Sequence, residues 1–277
     1  MARVLVISSQ VARGHVGLAA IVPALQGLGH EVIALPTVLL SNHPGHGTVA
    51  GEQVAPALLR RMFDALKANG WLGEIDAVMT GYLPSAEHVR FAVEAIGRVK
   101  AGAKGVRVLV DPVIGDEGKG LYIDAGAAVA MRDGLVGLAD VVTPNAFELQ
   151  WLTGKAVGSA SEAVMAAASL PAALALATSV PAGAADLDTV LAPRDGDTVV
   201  CRVARRSGVP NGTGDFLAAL YLGHELSLGV ARASEALALA VAGVDAVIDA
   251  SRGCDELQLV TARDAWVDAK PLPVSPV

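Results

Sequence analysis

Asn211-Gly212-Thr213-Gly214-Asp215 is the stretch on which the reading of this chain turns. It follows Val209-Pro210 and runs into Phe216-Leu217-Ala218-Ala219-Leu220, an apolar segment that reads as the start of a helix. Two glycines around Thr213 let the backbone turn sharply and expose its N–H groups. The helix directs its positive end at the same place. Together they make an anion pocket suited to phosphate. A carboxylate inside such a pocket is repelled by phosphate, so Asp215 needs a reason to be there. One reason is a base that takes a proton from an alcohol while the pocket neutralises the phosphoryl group the alcohol attacks. The alternative is helix capping, for which Asp is a favoured residue.

Upstream, short apolar runs alternate with amphipathic stretches. Val4–Ile7, Glu31–Leu35, Ile75–Met79, Val106–Val110, Val141–Val142 and Ala173–Ala177 read as buried strands. Gly51–Ala68 and Ala86–Lys100 carry apolar residues at a helical period. The alternation implies an α/β fold, a mostly parallel sheet with helices on both faces. Thr189–Leu191 and Thr198–Val203, around Arg194-Asp195-Gly196-Asp197, read as an antiparallel hairpin at the sheet edge. Helices are expected from Gly214 to His224 and from Val230 to about Ala250. In open α/β sheets ligands gather at the carboxyl ends of the strands. Ser8-Ser9-Gln10, Pro36-Thr37, Thr80-Gly81-Tyr82, Asp111-Pro112, Thr143-Pro144-Asn145 and Thr178-Ser179 are expected to follow six strands in turn, which places them there together.

The chain has 277 residues, 53% of them hydrophobic, enough for a sizeable core. Aromatics are only 4%, so that core must be aliphatic and alanine-rich. A formal net charge of −7 with no basic block argues against a nucleic-acid partner. Cys201 and Cys254 have no metal-type spacing and read as reduced thiols of a cytoplasmic protein. Ala163–Ala185 is uncharged and long enough to span a bilayer. Pro171 and Pro181 interrupt it, so it reads as a helix end, a turn and a buried strand, with no membrane association.

In this order the motifs resemble the ribokinase-like superfamily and, within it, the pyridoxal kinase family. The matching segments are Ser8-Ser9-Gln10-Val11, Gly14-His15-Val16-Gly17, Pro36-Thr37-Val38, Ser41-Asn42-His43-Pro44-Gly45, Thr80-Gly81-Tyr82-Leu83, Asp111-Pro112-Val113, Gly118-Lys119-Gly120-Leu121-Tyr122, Thr143-Pro144-Asn145-Ala146-Phe147-Glu148-Leu149 and the 211–215 turn. The turn alone specifies the superfamily; the Ser-Asn-His-Pro-Gly loop and the Gly-Tyr-Leu strand end narrow it. The resemblance implies one ribokinase-like kinase domain over residues 1–277, a three-layer fold, and phosphoryl transfer from ATP to the 5′-hydroxymethyl of pyridoxal, with pyridoxine and pyridoxamine as further acceptors. It implies Asp215 as base and Gly212, Thr213 and Gly214 as anion hole. Ser9, Thr37, His43 and Tyr82 would surround the pyridine ring, with Gly45 on a loop that closes over it. Asp111 and Glu148 would arrange Mg²⁺ and its waters. Thr143, Asn145, Thr178 and Ser179 would lie near the nucleotide. A homodimer is implied, and there is room for a monovalent cation. Two departures stand out: Leu18-Ala19-Ala20 where the family often has Asn-Ser-Ala, and Thr178 where one branch carries Lys.

The residues also have plainer readings. Asp111 before Pro112 suits a turn. Asn145 and Glu148 have the spacing of a capping box. Mg²⁺ prefers oxygen ligands and retained waters, which suits carboxylates acting through water. His43 and His46 have no neighbour at zinc spacing, and only His43 matches a family position. Tyr82 could pack in the core or wall a pyridine ring. Asp116-Glu117-Gly118-Lys119-Gly120 is either a solvated loop or a flap that brings Lys119 to phosphate. The competing functions are a kinase for hydroxymethylpyrimidine or another small alcohol, and a non-catalytic sensor that holds a B6 vitamer or nucleotide.

Overall fold

The computed structural model describes residues 1–277. Twelve strands and nine α-helices alternate along the chain: β1 (Arg3–Val11), α1 (Leu18–Gly27), β2 (Glu31–Leu40), β3 (Gly51–Gln53), α2 (Pro56–Ala68), β4 (Ala77–Thr80), α3 (Ala86–Gly102), β5 (Arg107–Val110), β6 (Gly115–Asp116), β7 (Gly120–Leu121), α4 (Ala125–Ala130), β8 (Val141–Val142), α5 (Ala146–Thr153), α6 (Ala160–Ala167), β9 (Leu174–Ala182), β10 (Asp186–Pro193), β11 (Val199–Ala204), α7 (Thr213–Leu228), α8 (Ala233–Ala250), α9 (Arg263–Val267) and β12 (Val274–Pro276). Ten strands form one sheet in the order β12-β11-β10-β9-β8-β5-β4-β1-β2-β3, and β6 pairs with β7 in a separate hairpin. The run from β9 to β2 is parallel, and antiparallel strands extend it at both edges.

The strands are buried on both faces, so they read as continuous apolar runs. Alternate side chains divide between two cores. Leu5, Ile7, Val78, Val108 and Val110 pack with α2 to α6 on one face. Val4, Val6, Ala77, Met79 and Leu109 pack with α1, α7, α8 and α9 on the other. Both cores are aliphatic and alanine-rich, as the composition requires. No helix is long and apolar enough to cross a membrane.

The six parallel strands are those expected, but several run further. β1 continues through Gln10 and β2 through Leu40, with a bulge between Ser8 and Gln10. Ser8-Ser9-Gln10 and Pro36-Thr37 therefore lie within strands instead of after them. β9 likewise runs to Ala182, because β10 pairs with it out to Asp186↔Ala182. Thr178 and Ser179 sit mid-strand at a register shift, Ser179 with φ 55°. Gly51–Gln53, read as helix, forms strand β3 against Val38–Leu40. The helix waits for Pro56, whose fixed φ suits a first turn.

The order along the sheet reverses once. From β1 the chain moves to β2 on one side, then returns to β4 on the other and continues outward. That reversal opens a crevice at the carboxyl ends of β1 and β4. Helix α7 is anchored at its far end by Glu225, which is 2% exposed and takes two hydrogen bonds from Arg107, both 2.7 Å, and one from Tyr221 Oη at 3.1 Å.

Removing one partner of a buried ion pair leaves the other charge uncompensated. Arg107→Met should therefore lower unfolding stability in urea by about 3 kcal/mol, and a loss below about 1 kcal/mol would show that the pair does not hold α7.

Candidate functional site

The N-terminus of α7 enters the β1/β4 crevice. Its N-cap is Gly212 at φ 102°, and no side chain caps it. A Cβ at Gly212 would lie 1.8 Å from the carbonyl oxygen of His15, so the position requires glycine twice over, by conformation and by space. The first N–H of this turn to reach a helical acceptor is that of Phe216, to Gly212 O at 3.0 Å. The N–H groups of Thr213, Gly214 and Asp215 point out of the helix start. Around Gly214 nothing lies within 4 Å of where a Cβ would stand. The turn is thus a set of unspent donors facing open space, with the positive end of the helix behind it.

Asp215 does not cap the helix. Its Oδ2 accepts from Gly17 N–H at 2.9 Å, across 198 residues of sequence. Gly17 has φ 55°, and a Cβ there would lie 2.2 Å from Ser9 Oγ, so this contact too depends on glycine. Burial pushes the carboxyl of Asp215 up to about 6, and the Gly17 N–H draws it partly back. Helix α1 starts behind Gly17, which has no side chain to cap it and whose N–H is given to Asp215.

The wall beside Asp215 is the end of β4. Gly81 lies against Ser8 Oγ and near Asp215 Oδ1. The buried Ser8 hydroxyl accepts from Tyr82 N–H at 3.2 Å, and the buried Thr37 hydroxyl donates to Tyr82 O at 2.7 Å. Ser8 and Thr37 therefore aim the Tyr82 backbone, and the Thr37 hydroxyl is spent in doing so. Tyr82 is partly buried at the crevice, with its hydroxyl 3.5 Å from Tyr122 O on the β6–β7 hairpin. The loop 41–50 arches over the same opening. A Cβ at Gly45 would lie 2.9 Å from His43 Nδ1 and 3.5 Å from Asn211 Nδ2, which puts the loop against the 211–215 turn. His43 Nδ1 accepts from Gly45 N–H at 3.0 Å. Burial, then the charge of Lys119, lowers the His43 pKa. His46 bonds Glu256 Oε1 at 3.0 Å and so ties this loop to the 251–258 segment.

On the other side of Asp215 stand two more carboxyls. Asp111, 5% exposed at the end of β5, is raised well above the usual carboxylate range by burial, then by the charges of Glu148 and Asp215. Glu148, 3% exposed, is raised to about 7 by burial against the pull of three backbone N–H groups. The capping box of Asn145 and Glu148 is formed in both directions. Thr80 Oγ1 at the end of β4 and Thr143 Oγ1 just past β8 are buried without a hydrogen-bond partner. Crowded carboxyls and unspent oxygens suit a cation. No three His, Cys, Asp or Glu side chains form a cage, and Mg²⁺ needs only one or two carboxylates beside phosphate and water. Thr178 N–H bonds Pro144 O at 2.9 Å, which brings Thr178 beside Asn145, while Ser179 is exposed next to them.

The structure thus brings Ser9, Thr37, His43, Gly45, Tyr82, Asp111, Thr143, Asn145, Glu148, Thr178 and the 212–215 turn to one end of the sheet. Sequence reasoning gave no role to Ser8, Gly17, Tyr122 or Glu256. Gly17 lies in the matching Gly14–Gly17 segment, which gives no hint of its bond to Asp215; Glu256 carries no local signal.

A family model described as phosphomethylpyrimidine kinase matches residues 18–255. Pyridoxal kinase PdxY of Deinococcus radiodurans is 36% identical over 274 residues, covering 94% of this chain and 91% of that protein. The pyridoxal kinase PdxY of Rubrobacter xylanophilus is 37% identical over 279 residues, covering 95% and 93%. Among solved structures, a pyridoxal kinase from Entamoeba histolytica matches with a TM-score of 0.93 at 27% identity over 100% of both chains. One from Leishmania donovani, in complex with ADP and pyridoxamine, also gives 0.93 at 27% identity over 100% of both chains.

The open space at Gly214 and the crowding at Gly212 make opposite demands on one added methyl. Gly214→Ala should leave Tm within about 2 °C of wild type, since Ala costs nothing in a helix, yet lower phosphoryl-transfer kcat/KM at least tenfold. Gly212→Ala should lower both. Equal loss of Tm in the two variants would mean that the Gly214 space is not kept for a ligand. Asp215 has a stability signature as well. Its folded-state pKa, about 6, lies above its ordinary 3.8. The native state therefore holds this proton more tightly, and stability falls as pH rises from about 4 through 6. Asp215→Asn should raise stability by on the order of 1–3 kcal/mol at pH 7, with the gain vanishing below about pH 4. A pH-independent difference would remove the raised pKa.

Proposed function

The chain belongs to the pyridoxal kinase family of the ribokinase-like superfamily, and from that membership we propose the chemistry of its site. The reaction moves the γ-phosphoryl group of ATP to the 5′-hydroxymethyl of pyridoxal. Asp215 takes the hydroxyl proton as the oxygen attacks phosphorus, and ADP leaves. The observation that carries this reading is a carboxyl raised to about 6 beside an uncapped helix start. A base must be ionised to act, and a pKa just below neutrality leaves it mostly ionised at pH 7 and still basic enough to accept a proton.

The N–H groups of Gly212, Thr213 and Gly214 meet the charge that builds on the phosphoryl oxygens. The vitamer ring lies between Tyr82 and the 41–50 loop, with Ser9 and His43 as polar contacts and Thr37 acting through Tyr82. Thr143, Asn145, Thr178 and Ser179 border the nucleotide. Asp111 would hold Mg²⁺ through water, with Glu148 behind it. When bound, Mg²⁺ would supply positive charge that offsets the charge of the phosphates. One kinase domain over residues 1–277, acting as a homodimer in the cytoplasm, completes the proposal; sedimentation of the purified chain tests the dimer.

The description of the matching family model favours one second reading, a hydroxymethylpyrimidine acceptor. Purified protein given Mg-ATP and pyridoxal, pyridoxine, pyridoxamine or hydroxymethylpyrimidine should release ADP with the B6 vitamers. Release with the pyrimidine alone would transfer the substrate assignment, and silence with all four would leave a sensor.

Asp215→Asn should lower kcat by about 10²–10⁴-fold while pyridoxal still binds. In the wild type kcat/KM should fall with acid below about pH 6, as the carboxylate gains its proton. That limb should disappear in the variant, and its persistence would assign the base to another group.

A further inference from the structure

We propose that Asn145 and Glu148 are a positioning clamp for the 114–122 hairpin, and through it for the wall that the vitamer meets. The link to the vitamer rests on the pyridoxal kinase reading above; the clamp itself rests on geometry alone. A capping box needs only the reciprocal bonds within the first turn of α5. These are present: Asn145 Oδ1 accepts from Glu148 N–H at 2.9 Å, and Glu148 Oε2 accepts from Asn145 N–H at 2.9 Å. Three further bonds leave the helix. Glu148 Oε1 accepts from Ile114 N–H at 2.7 Å and Gly115 N–H at 3.3 Å, and Asn145 Nδ2 donates to Gly115 O at 2.9 Å. Both backbone groups of Gly115 are thus gripped by the first turn of α5. None of these bonds contributes to the cap.

The grip has something to resist. Val113, just before the hairpin, has φ 44°, a conformation that a β-branched residue enters only against strain. On its near side Asp111 N–H is fixed to Thr80 O at 2.9 Å; on its far side stand Ile114 and Gly115. The hairpin base is also pressed to α5: a Cβ at Gly115 would lie 2.7 Å from Phe147 Cε1 and 2.2 Å from Gly120 O.

Position is then passed along the hairpin. Gly115 pairs with Leu121, Asp116 with Gly120, and Tyr122 N–H bonds Ile114 O at 2.8 Å. Tyr122 O stands 3.5 Å from Tyr82 Oη, and Lys119 Nζ lies 6.0 Å from the Tyr122 ring. The same Lys119 acts on His43. Fixing Gly115 therefore fixes the hairpin side of the opening in which Tyr82 and His43 form the other sides. Glu148 acts on the reaction by holding main chain, with three of its acceptor sites taken by N–H groups.

Two substitutions separate clamp from cap. Asn145→Ser keeps a good N-cap oxygen for Glu148 N–H but is too short to reach Gly115 O. Glu148→Gln exchanges one acceptor oxygen for a donor. Amide hydrogen exchange is read in the unliganded protein, and pyridoxal Kd is measured by titration with neither nucleotide nor metal present. Both variants should exchange at least tenfold faster over 114–122, with α3 unchanged, and bind pyridoxal on the order of tenfold more weakly. In turnover, KM for pyridoxal should rise more than kcat falls. If Glu148→Gln fails to fold, Asn145→Ser carries the test. Unchanged exchange over 114–122 in folded Asn145→Ser overturns the clamp. Faster exchange with an unchanged pyridoxal Kd overturns its link to the vitamer. Failure of the wild type to bind any pyridoxal overturns the substrate reading instead, and the exchange data still decide the clamp.

Discussion

A single hydrogen bond, from Gly17 N–H to Asp215, organises this molecule. It joins the loop after the first strand to the first turn of α7. It is possible only because neither Gly17 nor Gly212 carries a side chain: a Cβ at Gly212 would strike the His15 carbonyl of the first loop, and one at Gly17 would strike Ser9 of β1. The sheet supplies the setting: its order reverses between β1 and β4, so both loops emerge at one crevice. At the opposite end of α7, Glu225 is held by Arg107 at the foot of β5, so the helix is fixed at both ends. An anion turn is useful only if it stays still, and fixed donors cost no reorganisation when charge develops.

Electrostatically the site is built against its own stability. Asp111, Glu148 and Asp215 all sit above their ordinary carboxylate ranges, chiefly through burial, and Asp111 also through the other two charges. The helix start facing them has no side-chain cap. Negative side chains and unspent donors would each be better served by a partner that the protein does not supply. A phosphate group with its cation serves both, because it brings anionic oxygen to the donors and positive charge to the carboxyls. Stability surrendered at a site and recovered on ligand binding is a common trade in enzymes.

Much of this was readable in the sequence because it rests on local rules. Buried parallel strands are uniformly apolar, so all six were visible, and so was the Gly-Thr-Gly-Asp turn at a helix start. Asn145 and Glu148 announced a capping box by spacing alone, and it formed. What escaped were features set by distant partners. β2 runs on past Leu35 because β1 pairs with it across a bulge, and β9 continues past Ala177 because β10 follows it. Neither cause lies within the strand concerned. Gly51–Gln53 reads as the start of the helical stretch 51–68 and becomes a strand because the edge of β2 is available. The role of Ser8 is hidden for the same reason: a serine at a strand end looks like any turn former until Tyr82 N–H is found above it. Glu256 pairs with a histidine 210 residues away, which no local pattern could suggest.

The span of the Gly17–Asp215 contact has a consequence for how the protein comes into being. The two residues are 198 positions apart, and the core face formed by Val4, Val6 and Met79 is covered by α7 and α8, which are made late. At a ribosomal pace of about 5–20 residues per second, roughly 10–40 s pass between the emergence of the first loop and that of its partner. Throughout that interval the nascent polypeptide presents a greasy, half-roofed sheet and has no working centre. Catalytic competence thus arrives almost at the end of translation, and chaperone demand should be greatest just before it.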